Sequence, residues 1–239
     1  MTTTSVPATT TAAASRRRAL SVGCAWAAAG CLALPAAANT AYHLLTPVNS
    51  GTTAGAVAQA AAHPALAQVA VLQFALPVLA MGVAVLAWRA SAVTSRLATV
   101  AGVFLAGAFL LSPLGSLPEL LTAILPRFTG TAAAARAVDG YGHTVAGYIG
   151  AVALAGQALG LVLMAIALWR SRIVPHWLSV GFGVTFPLLV LTHSGTDERV
   201  FALGWGWFTI VVALCGAYLI RAARRAPRGR RARGRDRPG

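Results

Sequence analysis

The sequence predicts an all-α fold: a polytopic membrane helix bundle of six transmembrane helices with both termini in the cytoplasm. The first observation behind this prediction is composition, since 57% of the 239 residues are hydrophobic and only 10% are charged. A soluble domain carries about 25% charged residues. The second is that the apolar residues form long blocks. The third is that arginines gather between alternate blocks and at both ends of the chain.

Six apolar segments are long enough to cross a hydrocarbon layer of about 30 Å, which takes about 20 residues of helix. Prolines fall inside three of them, and membrane helices tolerate proline better than soluble helices do. The transmembrane domain is predicted to cover residues 19–220, between a disordered cytoplasmic segment 1–18 and a disordered, Arg-rich cytoplasmic tail 221–239. The predicted spans are Ala19–Leu45, Leu66–Trp88, Leu97–Leu111, Tyr141–Trp169, Val174–His193 and Val200–Ile220.

The first span has a competing interpretation as a secretory signal, because it follows the run Arg16–Arg18 and contains small residues at Ala36–Ala38. Cleavage there would leave five helices with the N-terminus outside. The apolar character continues past this point through "AYHLL", which favours an uncleaved first helix.

Arginine placement predicts the orientation of the bundle. Of the 19 basic residues, all of them arginines, only Arg127, Arg136 and Arg199 fall in outer loops if the N-terminus is cytoplasmic. Cytoplasmic loops carry the excess of positive charge in membrane proteins, so both ends are placed inside a cell (plasma) membrane. Trp205 and Trp207 are then expected in the outer interfacial belt of aromatic residues.

The net charge of +14 comes mainly from the chain ends, because nine arginines lie in the last 19 residues. Directly after the last span, such a tail is expected to bind anionic inner-leaflet lipids, at about 1 kcal/mol per arginine near the surface. A nucleic-acid tether and an acidic protein partner are the alternatives, although the tail has no aromatic residue for base stacking and specific nucleic-acid recognition is not expected. The lipid-facing arginines nearest the membrane are Arg221, Arg224, Arg225 and Arg228.

The loop after the third span predicts a short helix at the outer interface. Ser116 and Glu119 fit a capping box, with Pro118 early in the turn, and the apolar run Leu120–Leu125 follows. The alternative is a continuation of the third span, interrupted by Pro113.

Titratable side chains collect on the predicted outer face. Histidine and carboxylate are ligands for zinc and non-haem iron, and two histidines from different helices can hold a haem. The opposing interpretation is that these side chains are ordinary solvated loop residues, since no HExxH or CxxC spacing is present. No cofactor is therefore predicted, and a haem or a divalent metal remains the alternative. The candidate metal ligands are His43, His63, His143 and His193, with Asp139 and Asp197 as supporting partners, and Glu119 and Glu198 share the face.

A small-ligand site is the second hypothesis for the outer face. It would use His143, His193, Asp197 and Glu198 near the mouth of the bundle. Gln157 in "GQALG" is either a ligand-binding amide or a bystander. Its flanking glycines form a small-xxx-small face, which predicts close packing against neighbouring helices or against another copy of the chain.

The inner loop "ALWRSRIVPHWLSVGFGV", with Trp169, Arg170, Arg172, Pro175 and Trp177, resembles the pattern in small uncharacterised integral membrane proteins of bacteria. That resemblance implies six to seven transmembrane helices and no established activity.

Taken together, the sequence favours a non-enzymatic small-ligand binder, transporter or membrane assembly component with an outward-facing polar mouth. The alternative is a metal- or haem-dependent membrane oxidoreductase that uses the outer-face histidines.

Overall fold

The computed structural model describes residues 20–46, 52–193 and 198–225. These residues form helices and connecting turns, with no strand among them. The all-α prediction is therefore confirmed for the described chain. In chain order the elements are α1 (Val22–Leu45), α2 (Thr53–Ala62), α3 (Leu66–Ala70), a 3-10 turn (Val71–Ala75), α4 (Leu76–Ile124), α5 (Pro126–Thr129), α6 (Thr131–Tyr141), α7 (Val145–Ser171), α8 (His176–His193) and α9 (Glu198–Arg225).

Five of the described segments are long and apolar enough to cross a membrane. The segment predicted as the fifth span, Val174–His193, forms the shorter helix α8, whose apolar part His176–Thr192 is about 26 Å long at 1.5 Å per residue. The lengths and composition of these segments are those of membrane-spanning helices, in agreement with the predicted membrane protein. The five longer segments are Val22–Leu45, Leu66–Thr94, Arg96–Ile124, Val145–Ser171 and Arg199–Arg225.

Helix α4 contains two spans that run in opposite directions. A Cβ atom placed on Gly102 would lie 2.5 Å from the Cβ of Ala87. Fifteen residues apart, these positions would be about 22 Å from each other along a straight helix. The chain therefore reverses between them, and the division of the two apolar segments after Thr94 marks the place.

The third span is longer than predicted, and this is a correction. It reaches Ile124 as continuous helix rather than ending at Leu111, and no separate helix begins at Leu120. The alternative of a continued third span is therefore the one that forms, without the interruption expected at Pro113. Proline has no backbone N–H. Pro113 therefore leaves the Phe109 carbonyl, and Pro118 the Leu114 carbonyl, without its usual donor in the helix. The Ser112 hydroxyl donates to the Phe109 carbonyl at 2.7 Å. The Tyr141 hydroxyl donates to the Leu114 carbonyl at 2.7 Å. Both carbonyls that the prolines leave unpaired thus gain a side-chain donor, so the helix continues.

Neighbouring spans pack antiparallel and close into a ring. Helix α1 packs against both α4 and α9, α7 packs against α4 and α8, and α8 packs against α9. The glycines of α7 show the closeness, because a Cβ on Gly160 would lie 2.8 Å from the Cβ of Leu105. A Cβ on Gly156 would meet Ala108 at 3.7 Å. The predicted small-xxx-small face therefore packs against α4 of the same chain.

One hydrophobic core fills the ring. At its centre, the rings of Phe109 and Phe182 each lie 6.0 Å from the ring of Phe208, and all three side chains are fully buried. They come from three different helices, so this aromatic cluster connects α4, α8 and α9 across the bundle.

The short helices pack at one end of the bundle. Val57 of α2 and Ala134 of α6 are buried against each other, and the Arg127 guanidinium donates to the Pro64 carbonyl. At the other end, α9 continues through Arg221 to Arg225, because alanine and arginine favour helix and arginine is stabilised near a helix C-terminus. The remainder of the predicted tail from residue 226, and the predicted N-terminal segment 1–18, lie outside the described residues.

Candidate functional site

Near the end of the bundle where the short helices pack, the core contains a buried group of polar side chains, which we call the polar layer: Asn39, His43, Gln73 and Trp205. Their exposed fractions are 1%, 4%, 3% and 6%. They come from α1, the 3-10 turn and α9, three elements that meet around α1. Elsewhere among the described residues the buried polar side chains are hydroxyls, so the buried amides and the imidazole are concentrated here. Those hydroxyls belong to Ser91, Ser171, Ser179, Thr185 and Thr192.

Sequence periodicity explains why these side chains face inward. On α1 the buried positions recur every three to four residues and change from apolar to polar near its C-terminal end. Positions with this spacing share one face of a helix. The same spacing includes Gln73 in the second apolar segment and Trp205 in α9. The three stripes are Ala28, Leu32, Ala36, Asn39 and His43; Gln73, Leu76, Ala80, Val83 and Ala87; and Trp205, Phe208, Val212, Cys215 and Leu219.

The antiparallel pairing of the first two spans places Gln73 at the level of Asn39. Tyr42 and Ala70 belong to one buried cluster, and a Cβ on Gly82 would lie 2.6 Å from Leu32. Residue 42 thus lies beside residue 70, and residue 32 beside residue 82. Along two antiparallel helices, this register places residue 39 beside residue 73. Two buried amides therefore lie at the same depth on adjacent helices.

Aromatic rings enclose the imidazole of His43. It stacks on the indole of Trp205 at 6.5 Å with an interplanar angle of 16°. The ring of Phe201 approaches edge-on at 4.5 Å, and that of Tyr42 at 4.8 Å. Trp205 in turn meets Phe208 at 5.8 Å, so the central aromatic cluster forms a floor beneath the polar layer.

Two atoms of the polar layer have no hydrogen-bond partner within the described residues: Oε1 of Gln73 and Nε1 of Trp205. Trp207 shows the contrast, since its Nε1 donates to the Gly181 carbonyl at 3.0 Å. A buried donor or acceptor without a partner costs about 1–3 kcal/mol. The polar layer thus presents one unsatisfied acceptor and one unsatisfied donor.

No Asp, Glu, Lys or Arg belongs to the polar layer, and none is among the buried polar side chains that the structure describes.

The predicted metal ligands lie in different surroundings. His43 is buried in the polar layer, whereas His63 and His143 are exposed, the first at the end of α2 and the second in the turn before α7. No group of three or more His, Cys, Asp or Glu side chains forms in the part of the chain that the structure describes. The side chain of His193 lies outside that part, so a metal or haem site that includes it stays a prediction.

The predicted small-ligand residues are only partly described. His143 is exposed and Gln157 of α7 is half-buried. The backbones of His193 and Glu198 end α8 and begin α9, but their side chains, like the whole of Asp197, lie outside the described residues. Of the other predicted outer carboxylates, Glu119 and Asp139 are exposed.

Basic and aromatic side chains meet at the opposite end of the bundle. The guanidinium of Arg224 lies 5.7 Å from the ring centroid of Trp26, and that of Arg221 lies 5.6 Å from Tyr218. Arg225 is exposed, and Arg228 lies outside the described residues. Cation–π contacts of this kind hold cationic side chains beside the aromatic rings found at membrane interfaces.

Sequence reasoning missed the role of Trp205. It placed Trp205 and Trp207 together in the outer aromatic belt, but Trp205 is 6% exposed and Trp207 39% exposed. The sequence does contain a signal for its burial, because Trp205 has the helical spacing of Phe208, Val212 and Cys215, which face the core. Trp207 lies outside that spacing.

Comparisons with known protein families, with characterised proteins and with solved structures give no match. The resemblance around Trp169 to small bacterial membrane proteins therefore stays a prediction. Function is inferred below from the geometry of the polar layer.

Proposed function

We propose that the chain is a six-helix integral protein of the cell membrane that binds a small ligand in the polar layer, with both termini in the cytoplasm. The observation that carries this proposal is that two of the three buried side-chain atoms without a hydrogen-bond partner among the described residues, Gln73 Oε1 and Trp205 Nε1, belong to the polar layer, the third being Ser179 Oγ in α8. A buried polar atom left unpaired lowers stability, which makes it a marker of a place where a ligand supplies the missing partner.

The packing of α8 supports a sixth crossing. A Cβ on Gly183 would lie 3.2 Å from Ala165 of α7, and one on Gly204 of α9 would lie 3.0 Å from the side chain of Leu189. Helix α8 therefore runs alongside two membrane-length helices over most of its own length. At about 26 Å it is within the range of a short transmembrane helix.

Charge and aromatic placement support the orientation. The described inner residues Arg170, Arg172 and Arg225 are exposed, and Arg221 and Arg224 lie against aromatic rings at the same end. We place this end against the anionic inner leaflet, where Arg221, Arg224, Arg225 and Arg228 bind lipid headgroups. The polar layer then lies in the outer half of the bundle.

The chemistry of the polar layer favours binding over catalysis. Its members offer amide, imidazole and indole groups, with no carboxylate, thiol or hydroxyl among them. Acid–base and nucleophilic catalysis use pairs of such groups within hydrogen-bond reach of each other. The four side chains of the layer include one group of that kind, the imidazole of His43.

Native mass spectrometry of the detergent-purified chain tests the ligand proposal. The wild type is expected to carry a small-molecule adduct that is absent from the double variant Asn39→Leu/Gln73→Leu. Gln68→Leu is the matched control, because Gln68 is an exposed amide on the same span. Bare protein in all three samples would contradict the proposal.

Cysteine labelling of whole cells tests the topology independently. In a background without Cys24, Cys31 and Cys215, a membrane-impermeant maleimide is expected to label Ala58→Cys of α2 but not Arg172→Cys, both at exposed positions. Labelling of the second variant alone would reverse the orientation, and labelling of both would contradict the six-span arrangement.

A further inference from the structure

We infer that the end of the bundle opposite the short helices binds an anionic phospholipid at a fixed site, made by Arg224 of α9 and Trp26 of α1, and that this lipid stabilises the contact between the two helices. The inference rests on the lipid contact of the C-terminal arginines in the proposed function. It adds a defined site and a structural role for the lipid.

The Arg224 side chain lies between the first and the last helix. Its guanidinium carbon is 5.7 Å from the centre of the Trp26 ring, and both residues are exposed. Beside them Ala25 of α1 and Ala223 of α9 belong to one buried cluster. A guanidinium that rests on an aromatic face presents its N–H donors along its edge, where a phosphate group accepts two of them. The pair is therefore a preformed receptor for a headgroup phosphate.

The charge around this pair is positive, which favours an anion. Arg221 and Arg225 lie three residues before and one residue after Arg224 in the last turns of α9. Like charges three and four residues apart destabilise a helix, and a bound anion relieves that repulsion. The acidic positions that the structure describes all belong to the other end of the bundle: Glu119, Asp139 and Glu198.

Exposed tryptophans mark this end as the depth of lipid headgroups. Trp88 of α4, Trp169 of α7 and Trp177 of α8 are exposed there, as Trp26 is on α1. Tryptophan is enriched at the boundary between hydrocarbon and headgroups. A phosphate at the height of Trp26 and Arg224 is therefore one that a lipid supplies, with its acyl chains along α1 and α9.

Native mass spectrometry of the full-length protein, purified in detergent and stripped of lipid, tests the site by titration with phosphatidylglycerol or zwitterionic phosphatidylcholine. The wild type is expected to bind phosphatidylglycerol more tightly. Arg224→Gln is expected to weaken that binding about tenfold, because it removes hydrogen bonds from a charged donor. Trp26→Leu is expected to weaken it about threefold, because it removes the ring that positions the guanidinium.

Matched controls make the same changes elsewhere. Arg136→Gln alters an exposed arginine at the other end, and Trp177→Leu an exposed tryptophan of α8 at the same end. Both are expected to keep wild-type affinity. The stabilising role has a separate measurement, the thermal unfolding midpoint. Phosphatidylglycerol is expected to raise this midpoint in the wild type and in both controls, and to raise it less in Arg224→Gln.

Each contrary result overturns a stated part of the inference. Equal binding of the two lipids overturns the anionic class, and full affinity in Arg224→Gln overturns the site. Equal competition by soluble glycerol phosphate shows that a free phosphate suffices and overturns the lipid. An unchanged midpoint overturns the stabilising role. The ligand of the polar layer is scored independently, because Asn39→Leu/Gln73→Leu leaves the arginines intact, and lipid binding in detergent does not depend on the orientation that the cysteine labelling tests.

Discussion

Replacing Gly160 with alanine is expected to destabilise the bundle, whereas the same replacement at Gly107 is expected to stabilise it slightly. Both glycines lie inside membrane-length helices, so the intrinsic effect of the substitution is the same. They differ in what the new methyl group meets. At Gly160 it would lie 2.8 Å from both the Cβ and the backbone N of Leu105, and at Gly107 it meets nothing within 4 Å.

The contact distances at Gly160 determine how strongly the alanine destabilises the bundle. Backbone atoms cannot rotate away as a side-chain end can, so α7 and α4 must separate by several tenths of an ångström where they pack most closely. Overpacking of this kind costs about 1–3 kcal/mol. At Gly107 the alanine gains about 0.4–1 kcal/mol because it restricts the unfolded chain. The two variants are therefore expected to differ by about 1.5–4 kcal/mol.

Reversible unfolding in mixed micelles, at increasing mole fractions of a denaturing detergent, measures this difference. Gly107→Ala controls for any general effect of alanine in a membrane helix. If Gly160→Ala unfolds within about 0.5 kcal/mol of the wild type, below the smallest overpacking cost, then α7 does not pack against α4 as described.

The remaining predictions use the same unfolding assay. The hydroxyls of Thr40 and Thr209 lie 3.0 Å apart between α1 and α9, so a double-mutant cycle with valine at both positions is expected to give about 0.6 kcal/mol of coupling; a value near zero would remove the interhelical bond. Tyr141→Phe is expected to destabilise by about 1 kcal/mol, because it removes the donor to a proline-freed carbonyl. Unchanged stability there would mean that another group satisfies the carbonyl. Trp207→Phe is expected to destabilise by about 1 kcal/mol, because it removes the donor to the Gly181 carbonyl. Wild-type stability in that variant would show that the indole hydrogen bond contributes nothing to folding.

Much of the fold follows from the sequence because lipid imposes a simple rule. Backbone groups in hydrocarbon must be paired within the segment, so long apolar runs become helices. The third span shows where this reasoning fails. The prediction ended this span at Leu111 and expected Pro113 to interrupt any continuation, but a hydroxyl from Tyr141, 27 residues away in sequence, replaces one of the donors that the prolines remove. A contact at that separation belongs to the tertiary structure and leaves no local pattern.

The site was harder to predict because the charged and titratable residues, which were chosen as candidates, lie mainly in loops. His143, Asp197 and Glu198 are conspicuous in a sequence with so few charges, whereas Gln73 is an amide in an apolar run. Gln73 and Gln157 look alike in sequence, yet the first is buried and the second half-buried. The difference depends on which face of each helix meets its neighbours. The three- to four-residue spacing of apolar residues around Gln73 indicates which face of that segment is buried. Its alignment with Asn39, however, depends on the register between two helices, which the local sequence does not specify.

The polar layer and the glycine contacts have opposite effects on stability. Close backbone approach, as between Gly160 and Leu105, increases dispersion contacts between helices and stabilises the bundle. The unpaired atoms of Gln73 and Trp205 lower its stability by about 1–3 kcal/mol each until a partner arrives. A purely structural core would place apolar side chains at both positions, which fit the same heptad stripes without that penalty. A bound ligand that pairs with these two atoms would remove that penalty, and this is the physical basis of the proposed binding function.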